Sequence, residues 1–586
     1  MPNFIQKILI FYKYIGSKFL ALILFALMAS ILEGIGILML IPFFENISKL
    51  NNPESSFDVS LPFFDEAIFQ SINLVEFFGI FTLIFLLKGI FVFFLHYASI
   101  KIKTQMFQSL KIDLINAFIS MDISHYDKKN IGHLTNISTE QVENATGALD
   151  AVVKSIVHFF NVLIYFSFAV FVDWFFSLIL VFVGALLAPG FNKINSYIYQ
   201  ISGQLTLKNS TLIAYYLDIL KNFKYLKATS NLSFYREKVS RAVSKIVSGK
   251  IKIGMANAIT DSIKEPITVI VISTVVLIQS FYFGSSLANI VVVVILFHRS
   301  LSFLIGIQSK WQSALAKIPA INVIEEEKRQ ILSRISNRII IKEEIDFNGD
   351  IVLEKVNFSR KESSFKIEDL SLKIPQNKIT ALVGKSGSGK TTISEFILGF
   401  LYPSNGKVMF GDVDLKAISE NSLGNSIGFI PQNPTIFSGT ILENILMKDV
   451  ENFVNNNSAN VDRAVDLAGI RELINSLPDG LNTVIGGGGI ELSGGEKQRL
   501  MIAREIYRKP KILVLDEATS SLDQKTTSYI KRSLKELSNN MSILMITHDH
   551  NSLDIADYIY LIDQGKIVDH GTNSKKLIEK FNKSIR

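Results

Sequence analysis

Residues 384–391 read Gly384-Lys385-Ser386-Gly387-Ser388-Gly389-Lys390-Thr391 and match the phosphate-loop pattern. An apolar, strand-like stretch, Lys378 to Val383, precedes them, and a helix-like segment beginning with Thr392 follows, which is the context that the pattern requires. Glycines let backbone N–H groups approach phosphate, and the helix N-terminus adds a favourable dipole. The stretch therefore predicts an ATP site in which Lys390 contacts the terminal phosphates and Thr391 binds Mg²⁺.

A second stretch, Lys511-Ile512-Leu513-Val514-Leu515-Asp516-Glu517, is typical of a buried strand that ends in two acids. Phosphoryl transfer needs chiefly positioning and charge neutralisation. Asp516 suits Mg²⁺ coordination, and Glu517 suits the general base that orients the attacking water. Two adjacent acids alone would more often lie in a solvated turn, but their place after an apolar strand favours the catalytic interpretation.

The composition indicates a membrane protein of several structural units. The chain has 586 residues, of which 48% are hydrophobic and only 19% charged. The absence of cysteine excludes disulfides, thiolate metal sites and cysteine nucleophiles. Long apolar runs separate the basic clusters behind the net charge of +7, so we expect basic loops beside a membrane and no nucleic-acid partner.

Six apolar segments are long enough to cross a bilayer, which takes about 20 residues. They are Phe19–Ile47, Leu74–Ile100, Val152–Val172, Trp174–Tyr197, Ala256–Phe281 and Leu287–Ile307, with a tight hairpin expected at Asp173. The long stretches Lys101–Lys128 and Lys193–Lys252 are basic, which predicts that they and both termini are cytosolic. The expected location is the bacterial inner (cytoplasmic) membrane.

The predicted fold is therefore a membrane all-α domain of six helices joined to an α/β P-loop ATPase domain. The expected boundaries are residues 1–315 for the transmembrane domain, 316–345 for a charged connector and 346–586 for the ATPase domain. In the ATPase domain, Ile351–Phe358, Lys378–Val383 and Ile512–Leu515 have the character of strands.

The stretch Leu492-Ser493-Gly494-Gly495-Glu496-Lys497-Gln498-Arg499 identifies a branch of phosphate-loop proteins, because here the chain resembles the ATP-binding cassette (ABC) family. The resemblance implies that Ser493, Gly494 and Gly495 bind the γ-phosphate of ATP held by a partner subunit. Two chains, either two copies or this chain with a related half-transporter, would then enclose two nucleotides. Taken alone, the stretch would be explained better as a polar helix cap, because Ser-Gly turns are common, but its order with the other motifs favours the family interpretation.

Three more residues match the family in chain order. Gln432, after the strand Ile427–Ile430, resembles the glutamine that senses Mg²⁺ and contacts the membrane domain. Asp523 resembles the acid of the interface loop, and His548, after the strand Ser542–Thr547, resembles the histidine that holds the γ-phosphate and the catalytic glutamate. A lone histidine after a strand would more often be structural.

Three departures from the family pattern affect these expectations. The position after Val356-Asn357-Phe358-Ser359, where an aromatic residue often stacks on adenine, is Arg360, so either its guanidinium or Phe365 is expected to contact the base. The stretch that precedes Leu492 reads Gly486-Gly487-Gly488-Gly489 and lacks the acidic residue that is usual there in the exporter branch of the family. This difference predicts altered communication with the partner's membrane helices. Glu496 stands where Gln is commoner, and we expect a mild effect.

Six spans before one cassette resemble the exporter class of half-transporters, whose coupling helices would lie near Tyr126–Leu134 and Tyr216–Leu226. Charges inside spans are costly and often functional. Glu33 lies about 21 Å along the first span and Lys88 about 18 Å along the second, measured from Phe19 and Ile100 at 1.5 Å per residue, so they can pair. Glu265 and Arg299 form a second expected pair beside Pro266, which can kink the fifth span. All four are candidate substrate contacts, or else only hold helices together.

The cargo is the least determined part of the prediction. The stretch Leu32-Glu33-Gly34-Ile35-Gly36, followed by Pro42, resembles exporters of lipid-linked oligosaccharides and related glycolipids, which favours an amphipathic lipid substrate within surrounding membrane lipids. Export of peptides or hydrophobic drugs is the alternative. A soluble ABC ATPase of repair or translation and a nucleotide-gated channel are the rival classes, and the six spans argue against the first of them.

Overall fold

The computed structural model describes Phe11, Gly16 and residues 18–45, 57–59, 69–172, 174–278, 281, 287–335, 347–359, 365–447, 458–518, 523–548 and 550–572. The chain divides into two compact units. One comprises Met1–Met121 and His125–Ile335, and the other comprises Asp122–Ser124 and Ser336–Arg586. The first is helical and the second mixes strands and helices.

The helical unit consists of long helices joined by short ones. They are α1 Lys18–Leu38, α2 Leu40–Glu45, α3 Leu74–Ile119, α4 Ile123–Tyr126, α5 Ile131–Asn136, α6 Val142–Val172, α7 Trp174–Lys221, α8 Phe223–Ala228, α9 Leu232–Ser262, α10 Lys264–Ile278, α11 Leu287–Leu315 and α12 Ile318–Ile335. Two short antiparallel strands, β1 Phe57–Val59 and β2 Phe69–Ile72, lie between α2 and α3.

Four helical stretches within the described residues are long and apolar enough to cross a membrane: Lys18–Phe44, Leu74–Ile119, Ile131–Phe171 and Ile290–Ser333. They overlap the first, second, third and sixth predicted spans. The predicted fourth and fifth spans fall mainly on α7 and on α9 with α10, and the expected hairpin residue Asp173 lies outside the described residues. Many large apolar side chains in the most apolar part of α3 are exposed, as on a helix that faces lipid. The number six remains a prediction.

Proline interrupts the fifth predicted span. Helix α9 ends at Ser262 and α10 begins at Lys264, with Ile263 between them. The ring of Pro266 would meet the carbonyl of residue i−4, which is Ser262, and proline cannot supply the N–H for that bond. The expected kink is therefore present.

Within the described residues, the second unit contains two main sheets and a short two-stranded one formed by residues 439–440 and 484–485. Its strands are β3 Ile351–Ser359, β4 Lys366–Ile374, β5 Ile379–Val383, β6 Asn405–Phe410, β7 Val413–Asp414, β8 Ile427–Ile430, β9 Gly439–Thr440, β10 Val484–Ile485, β11 Ile512–Asp516, β12 Ser542–Thr547, β13 Tyr558–Asp563 and β14 Lys566–Thr572. Its helices are α13 Lys390–Ile397, α14 Glu420–Ser426, α15 Ile441–Leu446, α16 Ser458–Leu467, α17 Arg471–Ser476, α18 Gly494–Arg508 and α19 Gln524–Leu537. The strands expected from the sequence are confirmed.

The larger sheet brings the chemistry-bearing residues to one edge. Its order is β14-β13-β5-β12-β11-β8, and all neighbours except the pair β13 and β14 run parallel. Every residue of β5 and β12 is buried, as expected for parallel strands covered on both faces. Ligands of open α/β sheets bind beyond the carboxyl ends of such strands. The smaller sheet, of order β4-β3-β6-β7, is antiparallel.

Candidate ATP site

The phosphate loop leads from β5 into α13. Gly387 and Gly389 have φ angles of 78° and 109°, in the left-handed region that favours glycine. A Cβ on Gly389 would lie 2.7 Å from the ring of Phe365, so this loop position has no room for a side chain. The buried Ser388 hydroxyl has no hydrogen-bond partner among the described residues, and it lies in the loop that is expected to wrap around phosphate.

Lys390, the first residue of α13, is buried and held by its own loop. Its ammonium donates to the carbonyl oxygens of Gly384 and Lys385, at 2.8 Å each. Burial lowers the pKa of Lys390, and the nearby carboxylates of Glu517 and Asp516 oppose that shift. Burial and the neighbouring Glu517 raise the pKa of Asp516, whereas Lys390 lowers it. A cation bound beside Asp516 would favour its ionised form.

Glu517 occupies the centre of the site, immediately after β11. One carboxylate oxygen accepts a hydrogen bond from the Gln432 amide nitrogen at 2.5 Å, and the other lies 3.0 Å from His548 Nδ1. The Glu517 backbone has a φ of 51°, which is uncommon for a residue with a side chain and often marks functional sites. The carboxylate is thus aimed by a neighbour on each side, as a general base must be.

These residues surround one cavity of about 810 Å³. Its lining includes nearly all of the predicted phosphate and catalytic positions: Phe365, Gly384, Lys385, Ser386, Gly387, Gly389, Lys390, Thr391, Thr392, Gln432, Asp516, Glu517, Ile546 and His548. The loops after β5, β12, β11 and β8 supply them, because these four strands are neighbours and parallel. Thr391, Gln432 and Asp516 offer the hydroxyl, amide and carboxylate oxygens that suit Mg²⁺, which would neutralise phosphate charge when bound.

Two family models match the chain. One, described as the ABC transporter transmembrane region, matches residues 19–305, and the other, described as ABC transporter, matches residues 367–520. The chain belongs to the ABC transporter family.

Relatives of this ABC transporter match it over most of their length. The ATP-dependent lipid A-core flippase of Salmonella typhimurium is 28% identical over 84% of this chain and 85% of its own. The heterocyst differentiation ATP-binding protein HepA of a Nostoc species is 25% identical over 96% and 92%. The solved structure of a bacterial Atm1-family ABC exporter with ATP bound has the same fold, with a TM-score of 0.76 over 97% of this chain and 98% of that one at 19% identity.

The protein is therefore an ATP-hydrolysing exporter with a helical transmembrane domain fused to a nucleotide-binding domain. It is a multi-pass protein of the inner membrane. Half-transporters of this kind normally dimerise.

Four further predicted ATP contacts of this ABC transporter are not among the described residues that line the cavity, namely Ser493, Gly494, Gly495 and Asp523. Ser493 caps α18 in a capping box, in which its N–H donates to Glu496 Oε2 at 2.7 Å and its hydroxyl accepts from the Glu496 N–H at 3.4 Å. Asp523 caps α19 by accepting from the Thr526 N–H at 3.0 Å. Gly494 and Gly495 form the first turn of α18, and Arg360 lies outside the described residues. Their roles toward a partner's nucleotide stay predictions.

Glu496 brings a negative charge to the helix end that the partner's triphosphate is expected to approach. We expect Glu496→Gln to lower the ATP concentration for half-maximal turnover by about two- to fivefold, because Gln keeps the capping box without the charge. ATPase assays of the protein in nanodiscs at a series of ATP concentrations measure this half-maximal concentration. Glu443→Gln is the matched control, since Glu443 holds the same position in the Thr440 capping box of α15. An unchanged or higher half-maximal concentration would contradict the expectation.

A buried arginine behind the cavity was not predicted from the sequence. Arg504 on α18 donates to the backbone carbonyls of Asn444 at 2.7 Å and Thr435 at 3.1 Å, and it lies over the ring of Phe437. Burial lowers the pKa of this guanidinium. Arg504 therefore connects α18 to the segment that follows Gln432. The signal was available, because Arg504 interrupts an apolar run of α18.

In the membrane unit, the charged residues group differently from one expectation. Lys88 Nζ lies 2.9 Å from Glu33 Oε2, which confirms that ion pair. Arg299 Nη2 lies 3.5 Å from Glu33 Oε1, so the expected pairing of Arg299 with Glu265 is wrong. Glu265 is exposed on α10 and forms no ion pair with any residue in the described ranges. Spacing along the chain predicts depth in a helix but not the direction in which a side chain points.

Proposed function

We propose that two copies of this chain form a homodimer that moves an amphipathic lipid, such as a lipid-linked oligosaccharide, across the inner membrane by alternating access. ATP with Mg²⁺ would be enclosed between the phosphate loop of one copy and Ser493, Gly494 and Gly495 of the other. Closure of the two ATPase domains around ATP would favour an outward-facing arrangement of the membrane helices, and ATP hydrolysis would return the dimer to its starting arrangement. Both termini would be cytosolic. The lipid A-core flippases among the relatives support this class of cargo.

One observation carries the choice of cargo, namely the unbalanced charge at Glu33. Two cations, Lys88 and Arg299, share one carboxylate, so the group has a net charge of +1. The Glu33 side chain is only 10% exposed, whereas that of Arg299 is 50% exposed. A half-exposed guanidinium beside a satisfied carboxylate is suited to an anionic head group.

The proposal is tested by transport into proteoliposomes with two probes, a fluorescent lipid-linked sugar and a labelled peptide. We expect ATP to drive movement of the lipid and not of the peptide. Transport of the peptide alone would establish the alternative cargo, and ATP-independent ion conduction would establish a channel.

Replacing Arg299 with Gln should lower the rate of lipid transport by about fivefold or more, since it removes a charge-assisted contact to the head group. Transport rates measured at increasing concentrations of the transported lipid show whether the variant has lost affinity for that lipid. Glu265→Gln is the matched control, because it changes one charge on a neighbouring exposed position. Equal transport by Arg299→Gln and the control would place the head group elsewhere.

A further inference from the structure

A buried carboxylate on α12 gathers three basic side chains from one short segment. Glu327 Oε1 lies 2.8 Å from His125 Nε2, and its Oε2 lies 2.8 Å from Lys129 Nζ and 3.3 Å from His133 Nε2. The Glu327 side chain is only 3% exposed, and His125 is equally buried. Removing a carboxylate from water is costly, so such a group persists where its partners satisfy it fully. About 200 residues of sequence separate Glu327 from its three partners, so no local sequence pattern predicts this cluster.

The two sides of the cluster belong to different parts of the transport machinery. Helix α12 follows the last membrane helix, α11, and leads in the chain to the ATPase unit. Glu327 lies 20 residues past the apolar run that ends at Ile307, which is about 30 Å along a helix. The three basic residues lie on α4, on α5 and in the turn between them, where the sequence predicts a coupling element. One carboxylate therefore links the helix that precedes the ATPase unit in the chain to that element.

The segment from His125 to His133 is also fixed on another side. A Cβ on Gly132 would lie 2.6 Å from the backbone of Ala214, so α5 packs backbone to backbone against α7. Directly after α5, residues Ile137–Gln141 form a π-helical turn, a feature that is rare and frequent at functional sites. The close contact of Gly132 with α7 keeps the segment together as one piece. The π-helical turn separates it from the regular helix α6, so the segment can move as a unit when α12 moves.

We propose that Glu327 is a positioning residue that transmits the movement of α12 to the segment His125–His133 and so couples ATP binding to rearrangement of the membrane helices. It touches neither nucleotide nor cargo. The inference rests on the proposed alternating-access function and adds to it a residue of the helical unit through which the movement passes. Lys328, which lies 2.9 Å from Asp113 on α3, supports the same helix from another side but contacts no part of that segment.

The test uses the absence of native cysteine. A single cysteine at exposed Ser240 on α9, spin-labelled in each copy of the dimer, reports one distance between the two copies. The full-length protein in nanodiscs is measured with and without ATP and vanadate. The variant Glu327→Gln/Lys129→Met removes both charges, so that it leaves no unpaired buried lysine. We expect its nucleotide-dependent distance change to fall to about half of the wild-type change or less, while ATP turnover and melting temperature stay near wild type.

Glu326→Gln is the matched control, because Glu326 is the exposed neighbour and pairs with Arg329 within its own helix at 3.3 Å. If the double variant does not fold, Lys129→Met alone provides the test, with a smaller reduction expected. A wild-type distance change in either variant would refute the positioning role and leave the proposed function standing. No nucleotide-dependent change in the wild-type protein would refute alternating access and the inference together.

Discussion

Replacing Glu517 with Gln should lower the rate of ATP turnover by about 100-fold or more, because the amide cannot accept a proton from the attacking water. Gln keeps the size of the side chain, and its amide oxygen can still accept the hydrogen bond from the Gln432 amide nitrogen, so ATP binding should persist. The variant should accumulate as an ATP-bound dimer. Phosphate release and the retention of radiolabelled ATP by the purified dimer measure the two effects.

Glu536→Gln is the control for this experiment, since it neutralises an exposed carboxylate that lies 3.7 Å from Arg463. We expect wild-type turnover from it. Hydrolysis by Glu517→Gln at the rate of this control would mean that another group activates the water. Full turnover by a chain that stays monomeric with ATP and Mg²⁺ would refute the shared site.

Replacing Lys390 with Met should lower both ATP affinity and turnover, each by about 100-fold, because it deletes the buried ammonium of the cavity and leaves the phosphates facing Asp516 and Glu517. Methionine has a similar length, so the loss reports charge and hydrogen bonding rather than packing. Binding of a fluorescent ATP analogue and steady-state turnover separate the two effects.

The matched control lies in the same loop. Lys385 also lines the cavity, but its side chain is exposed and its backbone is the part expected to approach phosphate. Lys385→Met should change affinity by no more than about threefold. Equal losses from the two substitutions would indicate that the cavity needs positive charge in general rather than the buried ammonium of Lys390.

The grouping of the candidate ATP site was largely predictable because the phosphate loop, Gln432, the pair Asp516-Glu517 and His548 each lie at or just beyond the end of an apolar strand. Carboxyl ends of neighbouring parallel strands meet at one edge, so knowing the strand before Gln432, the strand before Asp516 and the strand before His548 was enough to bring them together. The capping box at Ser493 also had a local signal, a glutamate three residues after a serine.

Contacts between distant segments were not predictable in the same way. Glu265 and Arg299 are at compatible depths, but the helix is interrupted at Ile263 and Glu265 is exposed, so Arg299 lies near Glu33 instead. The contacts of Glu327 depend on how α12 packs against two short helices encoded about 200 residues earlier. No periodicity in a single sequence contains that information.

Because Glu517 has a left-handed backbone conformation, the residue that would be most stable at this position differs from the residue that the proposed reaction requires. Glycine adopts such a φ of 51° freely, whereas most other residues there cost about 1 kcal/mol. The substitution that relaxes the chain most is therefore the one that deletes the proposed base. Heat-resistant variants of this exporter that are selected on melting temperature alone will be enriched in inactive proteins, so any such screen must include a turnover assay.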